Sequence, residues 1–175
     1  MSLNLYIGCM YSGKSTKCIE HYNTFENPCV INYYFDTRYD KTLLSTHDLK
    51  KIPCHRLKHL SKIYDIIGDS DYILINEAQF FEDLYDVVLE LVEKKNKHVY
   101  IYGLDSDYMR RPFGDIIKLI PLATSYTKLY ANCETCKDKA CFTHKKSGSM
   151  DQIEVGSKNI YIPVCRSCYL KLNRI

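Results

Sequence analysis

The chain has 175 residues, 46% of them apolar, enough for one buried core with a small appended lobe but not for two large domains. Its 24 basic and 21 acidic residues are mixed along the sequence, so the net charge of +3 gathers into no basic stripe of the kind that tracks nucleic acid. No apolar run approaches a membrane span and no charged and apolar leader precedes the first strand, so a cytoplasmic protein is expected, in which nine cysteines point to metal or buried thiols rather than disulfides.

From the amino end, Leu3, Leu5 and Ile7 outline a strand over 3–8. It runs into Gly8-Cys9-Met10-Tyr11-Ser12-Gly13-Lys14-Ser15, which fits G-x-x-x-x-G-K-[ST], and then into a helical pattern marked by Cys18, Ile19 and Tyr22. Strand, glycine turn and helix in that order predict a phosphate-binding loop. The glycines let backbone N–H groups turn inward around phosphate oxygens, Lys14 reaches the β and γ oxygens, and the Ser15 hydroxyl faces Mg²⁺. Gly8, Cys9, Met10, Tyr11, Ser12, Gly13, Lys14, Ser15 and Thr16 are therefore the nucleotide-binding candidates.

A second strand over 29–34 leads into Phe35-Asp36-Thr37-Arg38. Arg38 can brace the γ-phosphate as charge shifts and Asp36 can supply charge to the metal, although an ordinary Asp–Arg turn pair is a rival reading. Leu57, Leu60, Ile63, Tyr64 and Ile67 space a second helix, and a third strand over 72–76 follows. That strand closes on Asn76-Glu77, at the position where an acidic residue ordinarily holds Mg²⁺ through water. Asn76 keeps a carbonyl oxygen but no charge, which leaves Glu77 as metal anchor, as general base, or as a helix N-terminal carboxylate favoured by the dipole. Phe81, Leu84, Val88 and Leu91 stripe a third helix, and 99–103 is a fourth strand. Such alternation predicts an α/β fold with a mostly parallel sheet, helices on both faces and ligands at the C-terminal ends of the strands.

Past residue 121 the sequence turns to short β-like pieces and clustered cysteines, dividing the chain into a nucleotide-binding domain over 1–125 and a smaller lobe over 126–175. Cys133-x-x-Cys136 and Cys165-x-x-Cys168 offer four thiolates for a tetrahedral Zn²⁺, with Cys141 as a spare. The gap between the pairs exceeds the usual ribbon spacing of roughly 15–20 residues. A polar excursion pinned at both ends by one metal reads as a lid over about 147–161. Four sulfur ligands leave no open position, so this zinc is expected to scaffold rather than catalyse.

In order along the chain, the phosphate loop with Met10, Asp36-Thr37-Arg38-Tyr39, Thr46-His47-Asp48, Asn76-Glu77-Ala78-Gln79-Phe80-Phe81, Leu104-Asp105, Arg110-Arg111-Pro112-Phe113-Gly114, Lys128-Leu129 and the two cysteine pairs resemble the zinc-containing thymidine kinases of cytosol and large DNA viruses. The resemblance implies a P-loop, RecA-like sheet with a C-terminal zinc-binding lasso, and Mg²⁺-ATP-dependent phosphorylation of the 5′-hydroxyl of thymidine or deoxyuridine in nucleotide salvage. It makes Glu77 the base, with Lys14 and Arg38 catalytic at the phosphates, and adds Asp36, Asn76 and Gln79 to the nucleotide site. It puts Met10, Phe80, Leu104, Tyr108, Phe113 and Tyr161 around the nucleoside, whose base edge is read by lid backbone at Glu154, Val155, Gly156 and Ser157. It also implies a homotetramer inhibited by thymidine triphosphate. Asn76 stands where the family usually has Asp, Tyr108 where it has Phe, and Cys9 where it has Pro or Ser; Asp36 and the nucleotide phosphates are expected to make up for the charge missing at Asn76. On the residues alone two rivals stay open, a zinc-ribbon P-loop ATPase that binds nucleic acid and a kinase for another hydroxylated acceptor.

Overall fold

The computed structural model describes residues 1–35, 43–45, 50–146, 152 and 159–174. In chain order the elements are β1 (Ser2–Gly8), α1 (Lys14–Tyr22), β2 (Cys29–Tyr33), β3 (Leu43–Ser45), β4 (Lys51–Pro53), β5 (His55–Leu57), β6 (Tyr72–Asn76), α2 (Leu84–Glu93) and β7 (His98–Gly103). There follow β8 (Ser125–Leu129), β9 (Ala131–Asn132), β10 (Lys139–Ala140), β11 (Phe142–Lys145), β12 (Tyr161–Val164) and α3 (Arg166–Leu172). Among the described residues, six strands form one sheet in the order β5-β2-β6-β7-β1-β8, and all of its pairings are parallel.

The alternation within β1 explains how that sheet is held. Leu3, Leu5 and Ile7 point to one face, where they pack with Ile73, Ile75, Val99 and Ile101 against Leu84, Val88 and Leu91 of α2. Cys18 and Ile19 of α1 cover the opposite face over Val30, Leu74 and Tyr102. Helices on both faces are as expected for a parallel sheet. Each fully buried Leu or Ile contributes about 1.5–3 kcal/mol relative to exposure, so the central strands β6 and β7 are the rigid frame for whatever their C-terminal ends carry.

One expectation needs correction. The apolar spacing around Leu60 and Ile63 does not make an α-helix: it makes a 3₁₀ turn over Leu60–Asp65, while Leu57 belongs to β5. Leu60 and Ile63 lie three apart and both are fully buried, which suits three residues per turn, and the Asp83 carboxylate caps the turn by accepting the Leu60 and Ser61 N–H groups at 2.9 Å each. Ser125–Leu129 joins the sheet beside β1, so it straddles the division placed at 125/126. Its first three residues are exposed, as befits an edge strand, so it has no apolar run to announce it.

Among the described residues, the small lobe is two antiparallel pairs, β9 with β10 and β11 with β12, followed by α3. Its buried cluster is Cys133, Ala140, Val164, Cys165, Cys168 and Tyr169. Half of that core is cysteine, too little apolar surface for independent stability without a further tie.

Candidate active site

The phosphate loop sits at the C-terminal end of β1. Gly13 opens α1 with φ 83°, and Tyr11 has φ 63°, so the loop turns through two left-handed residues. Gly8 is required for another reason: a Cβ there would lie 2.3 Å from the Leu129 carbonyl oxygen, inside the β1–β8 pairing. Lys14 is 8% exposed and its Nζ donates to the carbonyl oxygens of Cys9 at 2.6 Å and Gly8 at 3.2 Å and to Ser12 Oγ at 3.3 Å. Burial pulls its pKa below the ordinary lysine value, against the opposing pull of Glu77, then Cys9 and Asp105. Ser15 and Thr16 are half-buried in the first turn of α1.

Across the strand ends, β6 delivers Asn76 and Glu77. Asn76 is buried, its Nδ2 donating to Asn32 Oδ1 on β2 at 3.1 Å. Glu77 has φ 53° and ψ 37°, a left-handed conformation that is strained for a residue with a Cβ and concentrates at functional sites. Gln79 Nε2 donates to Glu77 Oε2 at 2.7 Å, and Gln79 Oε1 accepts the Leu104 N–H at 2.9 Å. Past β7, Asp105 Oδ2 pairs with Lys128 Nζ at 2.6 Å, while the buried Asp105 Oδ1 has no hydrogen-bond partner among the described residues.

The aromatic residues expected around a nucleoside fall into two groups. Phe80 meets Phe113 edge-on at 5.3 Å and stacks on Tyr33 at 5.2 Å. Lys145 Nζ lies 4.9 Å from the Tyr108 ring centre and 5.7 Å from that of Tyr161, so one ammonium joins the two tyrosines. Between these groups the 105–114 loop is shaped by Asp107. Its carboxylate accepts the Met109 and Arg111 N–H groups at 2.8 and 2.9 Å, Arg111 Nε at 2.8 Å and Gln152 Nε2 at 3.0 Å. Burial works to raise the Asp107 pKa, but the donors from Arg111 and Gln152 win and hold it below the usual range. Arg110, itself at φ 65°, lays its guanidinium 4.4 Å from the Tyr169 ring centre, and Tyr169 Oη donates to the Tyr108 carbonyl at 2.7 Å.

The lobe touches the phosphate loop directly. Met10 N–H donates to Thr143 Oγ1 at 3.0 Å, and the Cys9 thiol lies 3.6 Å from the Ala140 carbonyl oxygen. At the lobe's other end the sulfurs of Cys133, Cys136, Cys165 and Cys168 all lie within 4.8 Å of one another, with Cys136 and Cys165 3.6 Å apart. A tetrahedral zinc with Zn–S bonds near 2.3 Å needs sulfurs about 3.8 Å apart, so the four thiols fit that ion. Burial raises the Cys133 pKa, but backbone N–H donors pull the Cys133 and Cys165 thiols below the ordinary value. Against the Asp138 N–H at Cys136, hydrogen bonds among the four sulfurs push Cys136 and Cys168 above it, so the cluster shares its protons as one unit. Cys141 lies outside the cluster.

Asp36, Arg38, Glu154, Val155, Gly156 and Ser157 lie outside the described residues, as do Thr46-His47-Asp48 and most of the expected lid. Sequence reading missed Asp107, Thr143, Lys145 and Gln152. Only Asp107 left a local signal, the Asp107–Arg111 spacing of four; Thr143 meets Met10 across 133 positions.

A glycine turn running from a central parallel strand into a helix, at the C-terminal edge of the sheet and with its lysine buried, defines a P-loop protein of the α/β class. The thymidine kinase family model matches residues 1–169, and the chain belongs to that family. It is similar to the thymidine kinase of Oryza sativa subsp. japonica, 37% identical over 178 residues, which takes in 96% of this chain and 66% of the plant protein. It is also similar to the thymidine kinase of Monkeypox virus, 38% identical over 173 residues and 96% of both chains, and to that of Choristoneura fumiferana entomopoxvirus, 36% identical over 192 residues and the whole of both. No helix among the described residues is long and apolar enough to cross a membrane.

Proposed function

We propose that the chain transfers the γ-phosphoryl group of ATP to the 5′-hydroxyl of thymidine or deoxyuridine, giving the monophosphate for nucleotide salvage. The observation that carries this reading is Glu77, held at the end of β6 in strained left-handed backbone with its carboxylate gripped by the buried Gln79 amide. Family membership supplies the acceptor class. In the reaction, the loop N–H groups and Lys14 hold the phosphates, with Arg38 bracing the γ-phosphoryl group. Glu77 orients the acceptor alcohol and takes its proton as the oxygen attacks in line. Lys14 gives up its loop carbonyls for phosphate oxygens and stabilises charge as it spreads.

Mg²⁺ arrives with ATP, and Ser15 and Asp36 are its protein contacts in this reading. Met10, Leu104, Phe80, Phe113, Tyr108 and Tyr161 enclose the nucleoside, and the 147–161 segment closes over it with backbone at 154–157 reading the base. Zinc held by Cys133, Cys136, Cys165 and Cys168 supplies stability to the lobe; four thiolates leave it no open position. The same reading includes a homotetramer, inhibition by thymidine triphosphate and a cytoplasmic setting, and it is family membership that supports these.

The test is Glu77→Gln assayed with labelled ATP against a panel of nucleosides. Turnover on thymidine is expected to fall by roughly two to four orders of magnitude while ATP binding is spared. A rise in KM with kcat intact would remove the base, and preference for another nucleoside would remove the acceptor.

A further inference from the structure

Gln79 is 3% exposed and lies in the 3₁₀ turn Ala78–Phe80, just past Glu77. Both ends of its amide are engaged, and the Leu104 contact decides which end is which. A main-chain N–H can only donate, so the oxygen must face Leu104 at 2.9 Å and the nitrogen must face Glu77 Oε2 at 2.7 Å. Two glycines let the backbone approach Gln79 closely. A Cβ on Gly103 would stand 2.6 Å from Gln79 Oε1, and one on Gly114 would stand 2.2 Å from the Gln79 carbonyl oxygen. Two glycines thus make room for Gln79 from β7 and from the loop at Gly114, and the backbone of both closes on it.

We propose that Gln79 is the positioning residue of the proposed base: its amide holds Glu77 Oε2 and so presents Oε1 to the acceptor alcohol. This rests on reading Glu77 as the base. Glu77 lies on left-handed backbone between β6 and the turn Ala78–Phe80, and the buried amide anchored to Leu104 N–H restrains its side-chain torsions. Leu104 is also expected at the nucleoside, so the same amide ties the direction of the base to the wall of the acceptor pocket.

The informative variant is Gln79→Glu, which keeps side-chain length and an acceptor for Leu104 N–H but replaces the neutral amide donor with a second carboxyl that either repels Glu77 or shares a proton with it. Expected is a drop in kcat of about ten- to a hundredfold, the fold-change for losing a hydrogen bond to a charged group, with KM for ATP within about twofold of the parent. In the Glu77→Gln background the same substitution should cost nothing further, since a residue acting through Glu77 has nothing left to position. Gln79→Met, which fills the space without polar atoms, repeats the test should the acidic variant fold poorly. An equal kcat loss in both backgrounds overturns the proposal, and so does a raised KM for ATP at unchanged kcat, which would place Gln79 on the nucleotide. Full turnover by Glu77→Gln alone would instead remove the base reading on which the proposal stands.

Discussion

Replacing Gly114 by alanine separates two costs that glycine avoids at this position. Its φ is 57°, and a Cβ there would lie 2.2 Å from the Gln79 carbonyl oxygen and 3.0 Å from its carbon. Left-handed backbone costs a residue with a Cβ roughly 1 kcal/mol, and forcing one carbon into packed backbone adds roughly 1–3 kcal/mol. Gly68 isolates the first cost, because its φ is 50° and nothing lies within 4 Å of its would-be Cβ. Gly68→Ala should therefore lose about 1 kcal/mol and Gly114→Ala about 3 kcal/mol, or roughly 2–4 °C against 6–12 °C in Tm for a chain of this size. The assay is urea unfolding of both variants beside the parent, with kcat measured under native conditions. Gly114→Ala should also slow turnover, because the displaced backbone belongs to the residue bonded to Glu77. Equal stability losses in the two variants would refute the overlap; a full loss of stability with normal kcat would refute its link to the site.

Three other outcomes are expected. Cys168→Ser should lower bound zinc from about one equivalent to under a tenth by metal analysis, and strong chelation of the parent should raise protease cleavage within 126–175 before it affects the main sheet, since the proposed zinc would be the lobe's main tie. Asn76→Asp should lower the Mg²⁺ concentration needed for half-maximal rate several-fold in a magnesium titration, while losing about 1–2 kcal/mol in urea unfolding because a carboxylate cannot donate to Asn32 Oδ1. Burial opposes ionisation of Asp83, but N–H donation from Ser61 and Leu60 holds its folded pKa below the unfolded carboxyl value. Its stabilisation is present above that unfolded value, near pH 4, and is lost as pH falls through the folded one; Asp83→Asn should flatten the acid limb of stability measured by circular dichroism below pH 4.

What the sequence disclosed and what it hid divide along physical lines. β1, β2, β6 and β7 are buried enough that their apolar runs survive in the sequence, and the phosphate loop is a local motif whose backbone demands specific residues. The two cysteine pairs were legible for the same reason, and the four sulfurs do converge. β5 and β8 escaped because they are edge strands, one three residues long and the other mostly exposed. The turn at Leu60–Asp65 escaped because apolar residues three apart suit two helical geometries. The left-handed backbone at Glu77 left no trace in composition, and the contact of Thr143 with Met10 depends on how the lobe folds back over 133 positions.

The lysine of the phosphate loop is already occupied. Its ammonium sits among oxygens of Gly8, Cys9 and Ser12, so an incoming triphosphate displaces existing bonds instead of meeting a bare cation. Affinity at this end of the molecule is accordingly a difference between two sets of oxygens, one of them built into the loop. Under the proposed reaction, such self-competition sets against the hold on donor and spent diphosphate alike the three bonds that Lys14 already makes.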